Sequence, residues 1–308
     1  IPNIKTQLKA VLKVKIMQKY HGSMVALVTP FNNGKVDFQA LERMVEFHIA
    51  NGTTCLVVAG TTGECPTLSP EEHIEVIKAT VEYAKGRILV MAGAGSNNPV
   101  EAIYFSNAAK DAGADCLLHN AGYYNRPNQE GLYAHFKMVH DNTDLPIFVY
   151  NVPGRTVVNI SSETLAKIAK LERVIGVKDA TGNLERPWLE HNMIDKPFIY
   201  LSGEDSTAVS YNIAGGVGVI SVTANCAPAL VAKVQNLTLE KKWDEAAAEQ
   251  YKLMKLHKLM FKEPSPAPAK YAVSLLGLCK EESRLPILPI SDSLRAEIKE
   301  QMQKLELI

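Results

Sequence analysis

From about residue 22 the chain alternates short, unbroken apolar runs with stretches of helical periodicity. The runs fall at 24–28, 55–59, 88–92, 115–118, 146–150, 174–178, 198–201 and 217–222. They are rich in Val, Ile and Leu and show little alternation. Strands buried on both faces of a parallel sheet read this way. Between them, Leu41, Met44, Val45 and His48 share one helical face. Ser69-Pro70-Glu71-Glu72 is a helix start: a Ser cap, Pro in the first turn, then acids against the dipole. Ser162-Glu163-Thr164-Leu165 opens another helix.

Eight strand-then-helix units end near residue 238, which fits a closed (β/α)8 TIM barrel over 20–238. The alternative is a doubly wound open sheet, which usually carries GxGxxG after an early strand. Here Gly93-Ala94-Gly95 is followed by Ser-Asn-Asn-Pro, an incomplete fingerprint. After residue 240 the strand signal stops. Helical patterns at 243–261, 267–278 and 293–307 predict an all-helical C-terminal extension over 239–308, packed beside the barrel.

Composition narrows the class of function. Of 308 residues, 46% are hydrophobic and 21% charged, enough for a large buried core. Lys plus Arg and Asp plus Glu balance at 33 each, so nothing marks a nucleic-acid or anionic-membrane surface. No run of about 18 apolar residues spans a membrane. The five cysteines are dispersed without a CxxC pair, which predicts free thiols in a reducing cytoplasm. Residues 1–16 carry Lys5, Lys9, Lys13 and Lys15 and no acid, and Met17 follows. Residues 1–19 are therefore expected to be a leader outside the fold, with a targeting-peptide remnant as the alternative.

In a TIM barrel, chemistry collects where strands end. Three strand ends stand out. Gly60-Thr61-Thr62-Gly63-Glu64 follows the second run, where two hydroxyls and close backbone can hold a carboxylate, or simply form a polar turn. Lys178 closes the sixth run. Desolvating an ammonium favours the neutral amine, which attacks a ketone to give an imine; otherwise Lys178 snorkels to solvent or pairs with Asp179 or Glu204. Tyr150 to Arg155 closes the fifth run, offering a phenol for proton exchange and a bidentate guanidinium; a rim aromatic and a surface ion pair are the bland readings. No HExxH, GxSxG or Walker loop is present, so the sequence gives no support for a metal or a nucleotide.

Five motifs in register resemble the dihydrodipicolinate synthase family over residues 20–308. They are Gly60-Thr-Thr-Gly-Glu64, Tyr123-Tyr-Asn-Arg-Pro127, Tyr150-Asn-Val-Pro-Gly-Arg-Thr156, Gly176-Val-Lys-Asp-Ala-Thr-Gly182 and Ser221-Val-Thr-Ala-Asn225. The resemblance implies that Lys178 forms a Schiff base with pyruvate and Tyr150 is the acid/base group beside it. It implies that Thr61 and Thr62 hold the pyruvate carboxylate, Thr61 also serving a proton relay. It places Tyr124 in that relay across a dimer interface, Arg155 on the carboxylate of aspartate semialdehyde, and main chain near Gly203 and Ile220 in the pocket wall. A homo-oligomer, dimer or dimer of dimers, and no cofactor follow from the same resemblance. His73, Asn97, Glu101 and Tyr123 match the site used by lysine-sensitive members. Other pyruvate aldolases, such as N-acetylneuraminate lyase or keto-sugar-acid aldolases, are the alternative; they generally lack the Arg-Thr pair found here at Arg155-Thr156. A catalytically silent member would have lost Lys178 or Tyr150. Two departures from the family pattern are Gly122, expected to loosen the loop carrying Tyr124, and Cys65 in place of a common Ser.

Overall fold

The computed structural model describes residues 17–120 and 122–308. Eight parallel strands form a closed barrel in chain order: β1 (Gly22–Ala26), β2 (Cys55–Val58), β3 (Leu89–Gly93), β4 (Cys116–Asn120), β5 (Ile147–Asn151), β6 (Val174–Asp179), β7 (Ile199–Ser202) and β8 (Gly218–Ser221), which pairs back with β1. Closure excludes the open doubly wound sheet. Nearly every strand residue is buried, because side chains facing in fill the barrel and those facing out meet helices. The apolar runs mark the strands to within two residues. A small hairpin, Phe31–Asn32 with Lys35–Val36, is not foreseen by the run pattern. Its tip is Asn33-Gly34, both with positive φ, as a two-residue hairpin turn requires.

Pairing between β5 and β6 contains an irregularity. Ile147 faces Val174, but Phe148 faces Gly176, so Ile175 is skipped. The bulge brings Tyr150 level with Lys178. With side chains alternating, Phe148 and Gly176 form the layer beneath them. A Cβ on Gly176 would lie 2.5 Å from the Phe148 ring, so glycine leaves that ring its space. Tyr20 packs edge-on against the same ring at 5.3 Å, beneath the strands' N-terminal ends.

Surrounding helices start on side-chain caps: Asp37, Ser69, Asn98, Asn128, Ser161 and Ser291 each accept a hydrogen bond from the first turn. Ser69 and Glu72 form a reciprocal capping box. The helix expected to open at Ser162 does so, with Ser161 as its cap. Beyond the barrel run Trp243–Leu259, Ala267–Leu275 and Asp292–Lys304, all helical. Most of the expected leader lies outside the described residues. Met17, within the span of that expected leader, is buried in the core, an apolar residue one turn before Tyr20. Among the described residues no helix is long and apolar enough to cross a membrane.

Candidate active site

The C-terminal ends of the strands open into a cavity of about 540 Å³. Lys178 and Tyr150 face it from β6 and β5, 6% and 8% exposed. The Lys178 ammonium lies 4.2 Å from the centroid of the Tyr150 ring. Lys178 therefore neither snorkels to open solvent nor packs among apolar groups alone. Asn120 lines the cavity as the register partner of Tyr150 on β4. The run pattern gave it no role, yet it ends its strand, as Asp179 beside Lys178 ends β6.

Thr61 and Thr62 line the same cavity from the turn after β2. This turn is tightly held. Thr29 Oγ1 donates to Gly63 O at 2.7 Å, while Glu64 N–H reaches Thr61 O and Cys65 N–H reaches Gly60 O. A Cβ on Gly63 would come within 3.2 Å of Leu27 O and Ala59 N, so the turn sits flush against the end of β1.

Arg155 reaches the cavity from the short helix Pro153–Thr156. Asn151, the last residue of β5, fastens this loop: its amide donates to Asn159 Oδ1 (2.9 Å) and Ile160 O (3.1 Å), and its Oδ1 accepts from Ile160 N–H (3.1 Å). Thr156 Oγ1 donates to Val158 O at 2.9 Å. Asn225 performs the matching task at the barrel seam, where its side chain bridges Val28 N–H and Ala26 O. The Asn225 role was not legible before β1 and β8 were known to be neighbours.

Not every expected residue reaches this wall. Ile220 is buried within the β1–β8 seam as the partner of Met24. Gly203 N–H is committed to Asp179 O at 2.7 Å. Neither residue is among those bordering the cavity. Tyr124 does not border it and is 92% exposed, with φ of 67°. His73, Glu101 and Tyr123 do border the cavity, and Asn97 Nδ2 donates to Tyr123 O at 3.2 Å. Gly122 is buried, and a Cβ there would meet the Pro127 ring at 3.1 Å. The glycine admits the proline; it leaves no empty space.

Burial and neighbouring charge set the electrostatics. Glu204 is pushed up by burial and by Asp205, against the pull of Lys178 and Arg155. Burial lowers His73, which is therefore read as neutral and donating Nε2–H to Gly93 O at 2.7 Å. Burial pushes the Cys65 thiol up to about 12, so it borders the cavity as a neutral, unreactive group. Among the described residues no group of three or more His, Cys, Asp or Glu is placed to hold a metal ion. An amine, a phenol, two hydroxyls and a guanidinium around one cavity suit imine chemistry on a small keto acid.

Known proteins share this architecture. The model of the dihydrodipicolinate synthetase family matches residues 19–305. A 4-hydroxy-tetrahydrodipicolinate synthase of Parvibaculum lavamentivorans is 53% identical over 272 residues, covering 88% of this chain and 94% of its own. The crystal structure of dihydrodipicolinate synthase from Aquifex aeolicus is 42% identical, with a TM-score of 0.92 over 94% of this chain and 99% of that one. The chloride-inhibited synthase of Acinetobacter baumannii, solved with pyruvate, is 40% identical, with a TM-score of 0.91 over 94% of this chain and 99% of that one.

Proposed function

The chain belongs to the dihydrodipicolinate synthetase family, and on that premise we propose how its strand-end cavity condenses pyruvate with L-aspartate 4-semialdehyde, the 4-hydroxy-tetrahydrodipicolinate synthase reaction of lysine and diaminopimelate biosynthesis. It is an enzyme, a lyase of the Schiff-base-forming aldolase type. The observation that carries the residue assignment is the pairing of Lys178 with Tyr150, level across the β5–β6 ladder and 4.2 Å from amine to ring in one cavity with Thr61, Thr62 and Arg155.

In this assignment the Thr61 and Thr62 hydroxyls hold the pyruvate carboxylate, and Lys178 Nζ adds to its keto carbon. The carbinolamine loses water, with the Tyr150 phenol handing a proton to the departing oxygen. The protonated imine withdraws electrons from the methyl carbon, which gives up a proton to leave an enamine. That carbon bonds to the aldehyde carbon of the semialdehyde, whose oxygen takes up a proton and becomes a hydroxyl. The substrate's own amine then adds to the imine carbon, Lys178 leaves as an amine, and the ring closes. One water is released in total. Arg155 grips the semialdehyde carboxylate at the mouth. Tyr124, exposed and held in left-handed backbone, belongs in this proposal to the site of a second copy, as the relay member a homodimer or dimer of dimers would supply. All five cysteines are free, which suits a reducing cytoplasm.

The test is borohydride reduction with pyruvate followed by peptide mass mapping. One adduct is expected, on Lys178, absent in Lys178→Ala. Turnover is expected with aspartate semialdehyde and none with N-acetylneuraminate; an adduct elsewhere, or the reverse preference, overturns the assignment. For His73, Asn97, Glu101 and Tyr123 we propose a lysine site, since the Glu101 carboxylate and the neighbouring carbonyls suit an ammonium. Activity unchanged by millimolar L-lysine ends that part.

A further inference from the structure

Outside the cavity, one buried charged pair has no part in the reaction as assigned. Glu64, which ends the Gly60-to-Glu64 turn, is 4% exposed, and Lys270 of the helix Ala267–Leu275 is 0% exposed. The two form an ion pair. The Lys270 ammonium also donates to Glu282 O at 2.7 Å and lies 4.0 Å from the Phe31 ring centroid. Glu64 Oε2 accepts the Arg284 backbone N–H at 3.0 Å. The Arg284 guanidinium reaches Thr67 O at 2.6 Å, pairs with Glu72 and donates to Gly34 O at 2.7 Å. The helical extension thus grips the loops after β1 and β2 from above.

A pair buried this deeply is a weak source of net stability, because desolvating both ions offsets most of their attraction. Burial indeed lowers the Lys270 ammonium from its ordinary value, with Glu64 opposing. What the pair specifies is geometry. The turn begins and ends on non-glycine residues in left-handed backbone, Ala59 at φ 51° and Glu64 at φ 57°. Each such residue costs about 1–2 kcal/mol and persists where its surroundings over-determine it. The barrel wall supplies that constraint near Ala59. At Glu64 the constraint comes from Lys270 and the Arg284 main chain. Thr61 and Thr62 lie between the two ends.

We infer that Lys270 is a positioning residue: by holding the Glu64 carboxylate from the helical extension, it fixes the turn that presents Thr61 and Thr62 to the carboxylate of the 2-oxo acid. The inference rests on the site assignment above. It ties a residue more than 200 positions along the chain to capture of the first substrate.

The experiment compares wild type with Lys270→Met, Glu64→Gln and the double variant Lys270→Met/Glu64→Gln in the full-length enzyme. Values of kcat/KM are measured separately for pyruvate and for aspartate semialdehyde. Their ratio is independent of the fraction of folded enzyme, so reduced yield does not imitate the effect. All three variants are expected to lose about tenfold or more in kcat/KM for pyruvate, the scale of a displaced binding group. The value for the semialdehyde, gripped by Arg155, is expected to stay within about twofold once scaled to active sites titrated by borohydride. The double variant carries no unpaired buried charge, so it regains stability over Lys270→Met while keeping the pyruvate defect. Equal losses for both substrates, or a double variant with wild-type pyruvate capture, overturn the inference. Failure of wild type to trap pyruvate on Lys178 instead overturns the site assignment beneath it.

Discussion

Lys178 and Arg155 line the same cavity and differ in how the fold holds them. Lys178 is fixed by a rigid strand and shielded under a phenol ring. Arg155 is exposed on a short helix that Asn151 and Thr156 fasten. A guanidinium at the rim suits recognition of the second substrate and not the chemistry on the first. Arg155→Ala is therefore expected to lower kcat/KM for the semialdehyde by about 10–100-fold, the worth of a charge-assisted hydrogen bond at about 1.5–3 kcal/mol. Reduction of the pyruvate adduct onto Lys178 should proceed at the wild-type rate, and an equal loss in trapping sinks the division of labour. Cys65 shows the same dependence on surroundings. In sequence it was a departure at a catalytic loop; in the fold it is a neutral thiol against the cavity wall.

Between elements, the outer face of β6 meets the helix Arg186–Met193 through charges. Arg186 Nη2 contacts Glu190 Oε1 at 2.7 Å, and Arg186 Nε stands 3.6 Å from Asp179 Oδ2. Ser162 Oγ donates to Glu190 at 3.0 Å, and Tyr200 and Tyr211 border the group. One cation thus serves two buried carboxylates. Burial outweighs Arg186 and, with Asp179 alongside, pushes Glu190 up to about 7; Asp179 is raised for the same reason. A carboxyl whose folded value lies above its unfolded one binds a proton that the unfolded chain has released. The resulting stabilisation is complete below the ordinary glutamate value of 4.5 and is lost as pH rises through about 7. Glu190→Gln keeps the shape of the protonated acid. Its melting temperature should match wild type near pH 5 and exceed it near pH 8, at roughly 2–4 °C for each kcal/mol. Parallel melting-temperature profiles for the two proteins across that range rule this out.

At the scale of the whole molecule, the single chain builds a cavity that lacks one expected member. Tyr124 is exposed and does not border the cavity that Lys178 lines. If it completes a second copy's site, two inactive variants should complement each other. A mixture of Lys178→Ala and Tyr124→Phe subunits, after exchange, contains hybrids with one site carrying both intact groups. Activity well above the sum of the separate variants is expected; no recovery, with exchange verified by native mass spectrometry, places Tyr124 outside any shared site. The helical extension belongs to this scale too. In sequence it read as a tail beside the barrel, but Lys270 and Arg284 connect it to the loop carrying Thr61 and Thr62.

Much was legible in the chain. Unbroken Val/Ile/Leu runs separated by capped amphipathic stretches dictated eight β/α units, because burial on both faces and helical periodicity are local properties of composition. Lys178 and Tyr150 were legible as strand-end residues for the same reason. Their meeting was not. An unbroken ladder from Ile147 and Val174 would set Tyr150 opposite Val177, and only the skipped Ile175 brings it level with the lysine. Asn225 at the seam, Asn151 under the Arg155 loop and Lys270 beneath Glu64 likewise act on partners distant in sequence or in other elements. Periodicity records which way a side chain faces within its own strand or helix; which neighbour it faces is settled only when the barrel closes and fixes every register at once.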